Sequence, residues 1–249
     1  MDNLANKVAV ITGGSNGIGA ATAKSFLTAG MKVVIFDRKP PTALAKNDHC
    51  LFIQGDATEL SALDELYAQT MKAFGKIDVL FANAGVGGSK ALPEVTEELF
   101  DKVVSRNYKS IYFTVQRSLD YLHKGASLIL MASAHAHCAA TGFSIYASTK
   151  AAVKHLAKCF AIDLAAENIR VNSVSPGYID TQIWDKLKQL DPNIMEKLAA
   201  QVPLNQHIAS AAEVADVVKF LASSQSRYIT GEDIVIDGGV TVKGLDIIE

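Results

Sequence analysis

Short apolar runs alternate with segments of helical periodicity along the whole of this chain, and that alternation limits its fold more than any other feature. Residues 7–12, 32–36, 51–54, 79–82, 127–131, 170–175 and 233–236 read as strands, and residues 17–29, 60–74, 97–122, 148–166, 181–200 and 211–223 as helices. Such a chain folds into a mostly parallel sheet with helices on both faces. The strand runs are nearly continuous in apolar residues, as expected when both faces of the sheet are buried, whereas one wet face would impose alternation. The sequence therefore predicts an α/β doubly wound fold of about seven parallel strands, in a single domain over residues 1–249. No repeat or linker interrupts it. Residues 176–207 form a stretch too long for an ordinary connector and are expected to cover a substrate.

Composition narrows the function. With 49% hydrophobic and 20% charged residues the chain can bury a large core, and a net charge of -2 with no block of Lys or Arg gives no reason to bind nucleic acid or an anionic membrane. Residues 1–7 lack the build of a signal peptide, and no apolar run is long enough to span a bilayer. Cys50, Cys138 and Cys159 are odd in number and far apart, which suits a reduced, cytoplasmic protein.

The first strand ends at Thr12 and runs into Gly13, Gly14, Ser15, Asn16, Gly17, Ile18 and Gly19, where a helix begins at once. Glycines let a backbone approach a pyrophosphate, and the helix N-terminus offers free N–H groups and partial positive charge. The turn is thus a dinucleotide site of the Rossmann kind, although its G-x-x-x-G-x-G spacing differs from the usual G-x-G-x-x-G. Asp37, at the end of the second strand, stands where an acidic side chain bonds the adenosine ribose hydroxyls and repels a 2′-phosphate. Arg38 beside it is suited either to pair with such a phosphate or to sit in solvent. With no basic residue in the turn, NAD is the expected cofactor and NADP the alternative.

Tyr146 and Lys150 lie four residues apart in a helical pattern, so both face the same way, one turn apart. A tyrosine pKa near 10 is too high for base chemistry at neutrality, and an adjacent ammonium favours the phenolate. A drop of about 3 pH units would need about 4 kcal/mol of differential stabilisation. The spacing alone recurs by chance in many helices, so neighbouring motifs decide its meaning.

Those motifs closely resemble the short-chain dehydrogenase/reductase family over essentially the whole chain. T-G-x-x-x-G-x-G matches residues 12–19, N-A-G matches Asn83, Ala84 and Gly85, and Y-x-x-x-K matches Tyr146 and Lys150. A Ser thirteen residues before the Tyr matches Ser133, a catalytic Asn matches Asn107, and P-G followed by Thr matches Pro176, Gly177 and Thr181. The resemblance implies that Tyr146 exchanges a proton with the substrate oxygen while Ser133 holds that oxygen. It implies that Lys150 tunes Tyr146 and binds the nicotinamide ribose, and that Asn107 anchors a water in a proton relay. Asp56 and Ala57 would meet the adenine end, Asn83, Ala84 and Gly85 the adenosine side, and Pro176, Gly177, Ile179 and Thr181 the nicotinamide end, Ile179 and Thr181 at its carboxamide. Ala82 and Ala132 replace the Asn and Ser that the family often carries, a change in strand-end hydrogen bonding with no expected loss of activity.

On the substrate side, Ser133, His135, His137, Phe143, Tyr178 and Trp184 are the candidate pocket residues, with Val86 beside them. His135, His137 and Cys138 lack the fourth partner and the spaced pairs of a zinc site, so no metal is expected. The helix at 148–166 carries Ala152, Leu156 and Phe160 on one stripe with Val153 and Ala157 beside it, which must be buried somewhere. The resemblance implies homotetramers built partly on this helix, or homodimers, with the apolar tail of Leu245, Ile247 and Ile248 in an interface. The reading is an NAD(H)-linked oxidoreductase that interconverts a small secondary alcohol and a ketone. Its alternatives are an NADPH-dependent 3-oxoacyl thioester reductase and a non-catalytic NAD-binding sensor.

Overall fold

The computed structural model describes residues 4–41 and 48–243. The tail residues Leu245, Ile247 and Ile248 lie outside them. The strands are β1 (Val8–Thr12), β2 (Lys32–Asp37), β3 (Cys50–Gln54), β4 (Ile77–Ala82), β5 (Leu122–Met131), β6 (Arg170–Pro176), β7 (Ile179–Asp180), β8 (Ala209–Ser210) and β9 (Asp233–Ile236). Seven of them pair in parallel in the order β3-β2-β1-β4-β5-β6-β9, and β7 with β8 form a small second sheet that the sequence did not announce. The helices are α1 (Gly17–Thr28), α2 (Leu60–Phe74), α3 (Glu97–Val104), α4 (Ser110–Ser118), α5 (Ser144–Asp163), α6 (Asp185–Leu190), α7 (Ile194–Ala199) and α8 (Ala211–Ala222). The chain has the expected doubly wound Rossmann architecture.

Strand periodicity divides the core in two. Val8 and Val10 of β1, Val34 and Phe36 of β2 and Leu80 of β4 face one layer, where they pack with Leu63 and Leu66 of α2, Val115 of α4 and Val153 and Phe160 of α5. Ala9, Ile11, Val33, Ile35 and Phe81 face the other, against Ala23 and Phe26 of α1 and Val214, Val218 and Leu221 of α8. All five residues of β1 are buried, so neither face of this central strand meets water. Removing a fully buried ring such as that of Phe26 would cost about 3–5 kcal/mol.

This layering exposes the carboxyl ends of the strands along one edge of the sheet. After β3 the chain crosses back over β1 to reach β4, so the strand order reverses between β1 and β4 and the connections leave in opposite directions there. In open α/β sheets that divergence is where a cleft forms.

Several boundaries moved for identifiable reasons. The helix expected at 97–122 is interrupted by a wider π turn at Ser105–Lys109, ends at Ser118, and gives way to β5 at Leu122. The helix expected at 181–200 is split into α6 and α7 by Asp191 and Pro192, since the residue before a proline is disfavoured in a helix. α5 begins at Ser144, without a side-chain cap to mark its start. Of its apolar stripe, Val153, Leu156, Ala157 and Phe160 are buried in the first core layer and Ala152 is half-buried. Among the described residues no helix is long and apolar enough to cross a membrane.

Candidate active site

At the end of β1 the chain turns through Gly13 (φ +66°) and Gly17 (φ +53°) into α1, a left-handed path that suits glycine. Space is tighter still at Gly19, where an added Cβ would lie 2.2 Å from the Gly13 carbonyl oxygen. Asn83 clamps this turn from the end of β4: its Nδ2 donates to the carbonyls of Thr12 (3.0 Å) and Gly13 (2.9 Å). Thr12 Oγ1 in return accepts the N–H groups of Asn83 and Ala84, both at 3.1 Å. The result is a backbone cradle at a helix N-terminus whose first turn has no acidic side chain, and it fits a pyrophosphate.

The cradle opens into a cleft of about 540 Å³ lined by Gly13, Asn16, Gly17, Asp37, Asp56, Ala57, Ala84, Gly85 and Thr181. These are expected cofactor residues brought together. Ser15 and Ile18 are not among them: the Ser15 hydroxyl donates to the Lys39 carbonyl at 2.7 Å, and Ile18 packs on the second core layer. Asn83 likewise acts on the turn itself. Ile179 is buried, while Pro176 belongs to β6 and Gly177 lies so close to Asp237 that a Cβ would sit 2.7 Å from that residue's Cβ.

At one end of the cleft the Asp37 carboxylate accepts the N–H groups of Ser15 (3.1 Å) and Arg38 (2.7 Å), which fixes it at the tip of β2. Asp56 is held by the backbone and hydroxyl of Thr58 at 2.9 and 2.8 Å. Burial pushes its pKa upward, but the Thr58 bonds and the charges of Arg38 and Arg106 outweigh it and keep it below the usual carboxylate value.

Beyond the turn, Asn107 sits in the π segment, fully buried, with Oδ1 accepting the Val86 N–H (2.7 Å) and Nδ2 donating to the Val86 carbonyl (3.0 Å). Its side chain thus holds the loop after β4. A Cβ on Gly85 would lie 3.0 Å from Asn107 Oδ1 and 3.7 Å from Lys150 Nζ, so these residues meet at one point.

Tyr146 and Lys150 occupy the first two turns of α5. Lys150 is buried, donates from Nζ to the Met131 carbonyl at 2.8 Å, and lies 5.8 Å from the centroid of the Tyr146 ring. Burial lowers its pKa to about 7. Burial also raises the Tyr146 pKa, against an opposing hydrogen bond from Ser133. Here the sequence expectation is corrected: desolvation by the protein's own groups outweighs any lowering by the ammonium, and Ser133 is the neighbour that favours the phenolate. The three side chains nevertheless converge, and the group is suited to exchanging a proton with an oxygen held between Ser133 and Tyr146.

Aromatic rings wall this group. His135 stacks on Phe143 with centroids 4.4 Å apart, and both meet the Tyr146 ring edge-on, at 5.8 and 6.0 Å. Burial lowers the His135 pKa, so its imidazole is neutral at pH 7, and its buried Nδ1 has no hydrogen-bond partner among the described residues. The expected pocket residue His137 is held through its ring. Its Nε2 lies 2.6 Å from Asp233 Oδ2 on β9. Cys138 donates to the Ala134 carbonyl at 3.5 Å, so the three side chains of the 135–138 loop go to separate partners, and no metal-holding group of three His, Cys, Asp or Glu occurs among the described residues. In the 176–207 segment, Trp184 Nε1 donates to the Ile179 carbonyl (2.8 Å), Tyr178 bonds Gln201 (3.0 Å), and the two rings meet edge to face at 6.1 Å.

Residues 13–241 match the protein-family profile described as enoyl-(acyl carrier protein) reductase. Oxidoreductase asL5 of Sarocladium schorii is 38% identical over 248 residues, covering 96% of this chain and 98% of its own length. The chain belongs to the short-chain dehydrogenase/reductase family. The NADP-dependent (R)-specific alcohol dehydrogenase of Lentilactobacillus kefiri is 32% identical over 253 residues, with 97% of this chain and 99% of that protein covered. The ligand-free aldohexose dehydrogenase of Thermoplasma acidophilum superposes with a TM-score of 0.93 at 27% identity over 100% of this chain and 99% of that one. As a short-chain dehydrogenase/reductase, this protein is an oxidoreductase that acts on CH–OH groups of a small molecule with a nicotinamide cofactor.

For a member of this family, the cleft holds some residues that the sequence reading passed over. Arg106, Thr58, Ser110, Gln182 and Ile183 line it. Arg106 immediately precedes Asn107, and a charged residue beside a buried helical Asn was the available signal; the others carried none that distinguishes a cleft wall from an ordinary surface.

Proposed function

We propose that this chain is an NAD(H)-dependent dehydrogenase/reductase that interconverts a secondary alcohol and a ketone, with Tyr146 as general acid/base. The observation that carries the reading is the buried Lys150, with Nζ on the Met131 carbonyl and 5.8 Å from the Tyr146 ring, beside a Ser133 hydroxyl that favours the Tyr146 phenolate. In ketone reduction, Tyr146 gives its proton to the substrate oxygen while Ser133 donates a hydrogen bond to that oxygen; oxidation runs the same transfer backwards. Lys150, with a pKa about 7, stands at the proton-exchanging threshold near neutrality and would hold the nicotinamide ribose. Bound in the cleft, the nicotinamide supplies or accepts the hydride at the carbinol carbon. Asn107 holds Val86 and Gly85 against Lys150, which supports its assignment to the proton relay. Residues 176–207, with Tyr178, Trp184 and Ile183, would close over the substrate beside His135 and Phe143.

Asp37 supports NAD, because a carboxylate at the tip of β2 accepts ribose hydroxyls and repels a 2′-phosphate. Its two N–H bonds leave acceptor capacity on both oxygens. A second reading has a specific observation behind it: Arg38 and Arg106 both act electrostatically at this end of the cleft, which would suit NADPH and an acyl thioester substrate. The free thiols of Cys50, Cys138 and Cys159 support a reducing compartment, the cytoplasm. The exposed ring of Tyr112, packed on Phe160 of α5 at 5.4 Å, supports self-association as a homotetramer or homodimer.

Fluorescence titration with NADH and NADPH, followed by alcohols, sugars, hydroxy acids and acyl thioesters monitored by NADH absorbance, tests the proposal. Tighter NADH binding and turnover of a secondary alcohol are expected. Clear NADPH preference with thioester turnover would replace the reading by the second one.

A further inference from the structure

The loop that follows β5 is tied down at both ends. At its start Ser133 Oγ accepts the N–H of His135 at 3.3 Å. One tight helical turn follows, closed by the N–H of Ala136 on the Ser133 carbonyl (2.8 Å) and the N–H of His137 on the Ala134 carbonyl (2.9 Å). At its end, His137 Nε2 meets Asp233 Oδ2 at 2.6 Å, across 96 residues of sequence. The Asp233 side chain is largely covered, and its Oδ1 accepts the hydroxyls of Ser173 (2.5 Å) and Ser175 (3.0 Å) on β6. From α5, Lys154 Nζ approaches His137 Nδ1 at 3.5 Å, one turn beyond Lys150. A neutral imidazole that donates from Nε2 to Asp233 and accepts at Nδ1 from Lys154 satisfies all three groups. One side chain therefore joins the loop, β9 and α5.

We propose that His137 is a positioning residue: its bond to Asp233 fixes the far end of the 133–137 turn and so keeps the His135 N–H on the Ser133 oxygen. The consequence for chemistry is directional. With that N–H on a lone pair of Ser133 Oγ, the single hydroxyl proton is left to be donated, and before substrate takes it the serine is a donor toward the Tyr146 oxygen. A donated bond favours the phenolate, so slackening the turn would move Tyr146 titration to higher pH. The groups that face Tyr146 are Ser133, the edges of His135 and Phe143, and Lys150. Those that face His137 are Asp233, Lys154 and, at longer range, Asp237. The inference rests on the reading of Tyr146 as the acid/base group. A clip that served stability alone would change melting temperature and leave the titration of Tyr146 where it was.

The experiment is the pH profile of kcat/KM for alcohol oxidation, which reads the enzyme before substrate binds, in wild type, His137→Ala and His137→Gln, with NADH titration and thermal melting on each and Tyr146→Phe as control. The rising limb of His137→Ala is expected about one pH unit higher, with about tenfold lower kcat/KM at neutrality that recovers in alkali. NADH affinity should be unchanged, and His137→Gln, whose amide N–H still reaches Asp233, should restore most of the wild-type profile. Should the alanine variant fail to fold, Asp233→Asn carries the same comparison and is expected to shift the limb in the same direction. A limb that coincides with wild type, or a loss of turnover uniform across pH, overturns the role of His137. An active Tyr146→Phe variant overturns the reading beneath it, so the two failures are distinguishable.

Discussion

The two walls of the cleft are built in opposite ways. On the cofactor side, Thr12, Gly13, Asn83 and Ala84 exchange four hydrogen bonds between the ends of β1 and β4, and β1 beneath them is fully buried. On the other side, residues 176–207 are held by single bonds such as those of Trp184 and Tyr178, and Ile183, Leu187 and Leu190 are exposed. The difference teaches where selectivity resides. A rigid wall made mostly of backbone suits a ligand common to a whole family, while a loosely held, side-chain-rich wall can be revised without disturbing the fold.

The comparison breaks most readily at Gly19. A side chain there meets the Gly13 carbonyl at 2.2 Å, so Gly19→Val is expected to abolish NADH binding in a fluorescence titration and to lower the melting temperature. Retained NADH affinity would mean that the turn is not the rigid part. Next in size, Thr12→Val removes the acceptor for two N–H groups, each worth about 1–3 kcal/mol when left unsatisfied, and should show as lost stability in denaturant and weaker NADH binding together.

Lys150 provides a pH signature on the rigid side. Its folded pKa, about 7, lies below its value in the unfolded chain, so between about pH 7 and pH 10 the unfolded chain holds more protons and stability rises with pH. Below pH 7 the full cost of the buried ammonium is present. Lys150→Met is therefore expected to raise the melting temperature most in acid, with the gain shrinking towards pH 10. A gain independent of pH would show that the pKa of Lys150 is the same in the folded and the unfolded chain. The smallest effect belongs to the loose wall: Trp184→Phe loses one 2.8 Å bond and should raise substrate KM severalfold with NADH affinity and melting temperature nearly unchanged. An equal loss of NADH affinity would erase the distinction between the walls.

How much of this was legible in the sequence follows the same division. β1, the glycine turn and α1 were readable because glycine spacing and continuous apolar runs report backbone geometry directly, and the Tyr146–Lys150 spacing reports one helix face. The π turn at Ser105–Lys109 was not readable, since the residues around Asn107 keep ordinary helical spacing and only the bonds to Val86 reveal why the helix widens. The direction of the Tyr146 shift was misjudged because desolvation depends on burial, which a spacing argument does not contain. The bond that holds His137 was not readable either, because its partner, Asp233, lies on a strand whose place beside β6 depends on the whole topology.

The central claim is that Tyr146 exchanges the proton while the cleft holds the cofactor independently of it. Tyr146→Phe tests both halves at once, by turnover on an active alcohol and by NADH titration. The account predicts turnover reduced by at least about a thousandfold, in line with loss of a general acid/base, with NADH affinity unchanged. Turnover close to wild type in a correctly folded variant would contradict it.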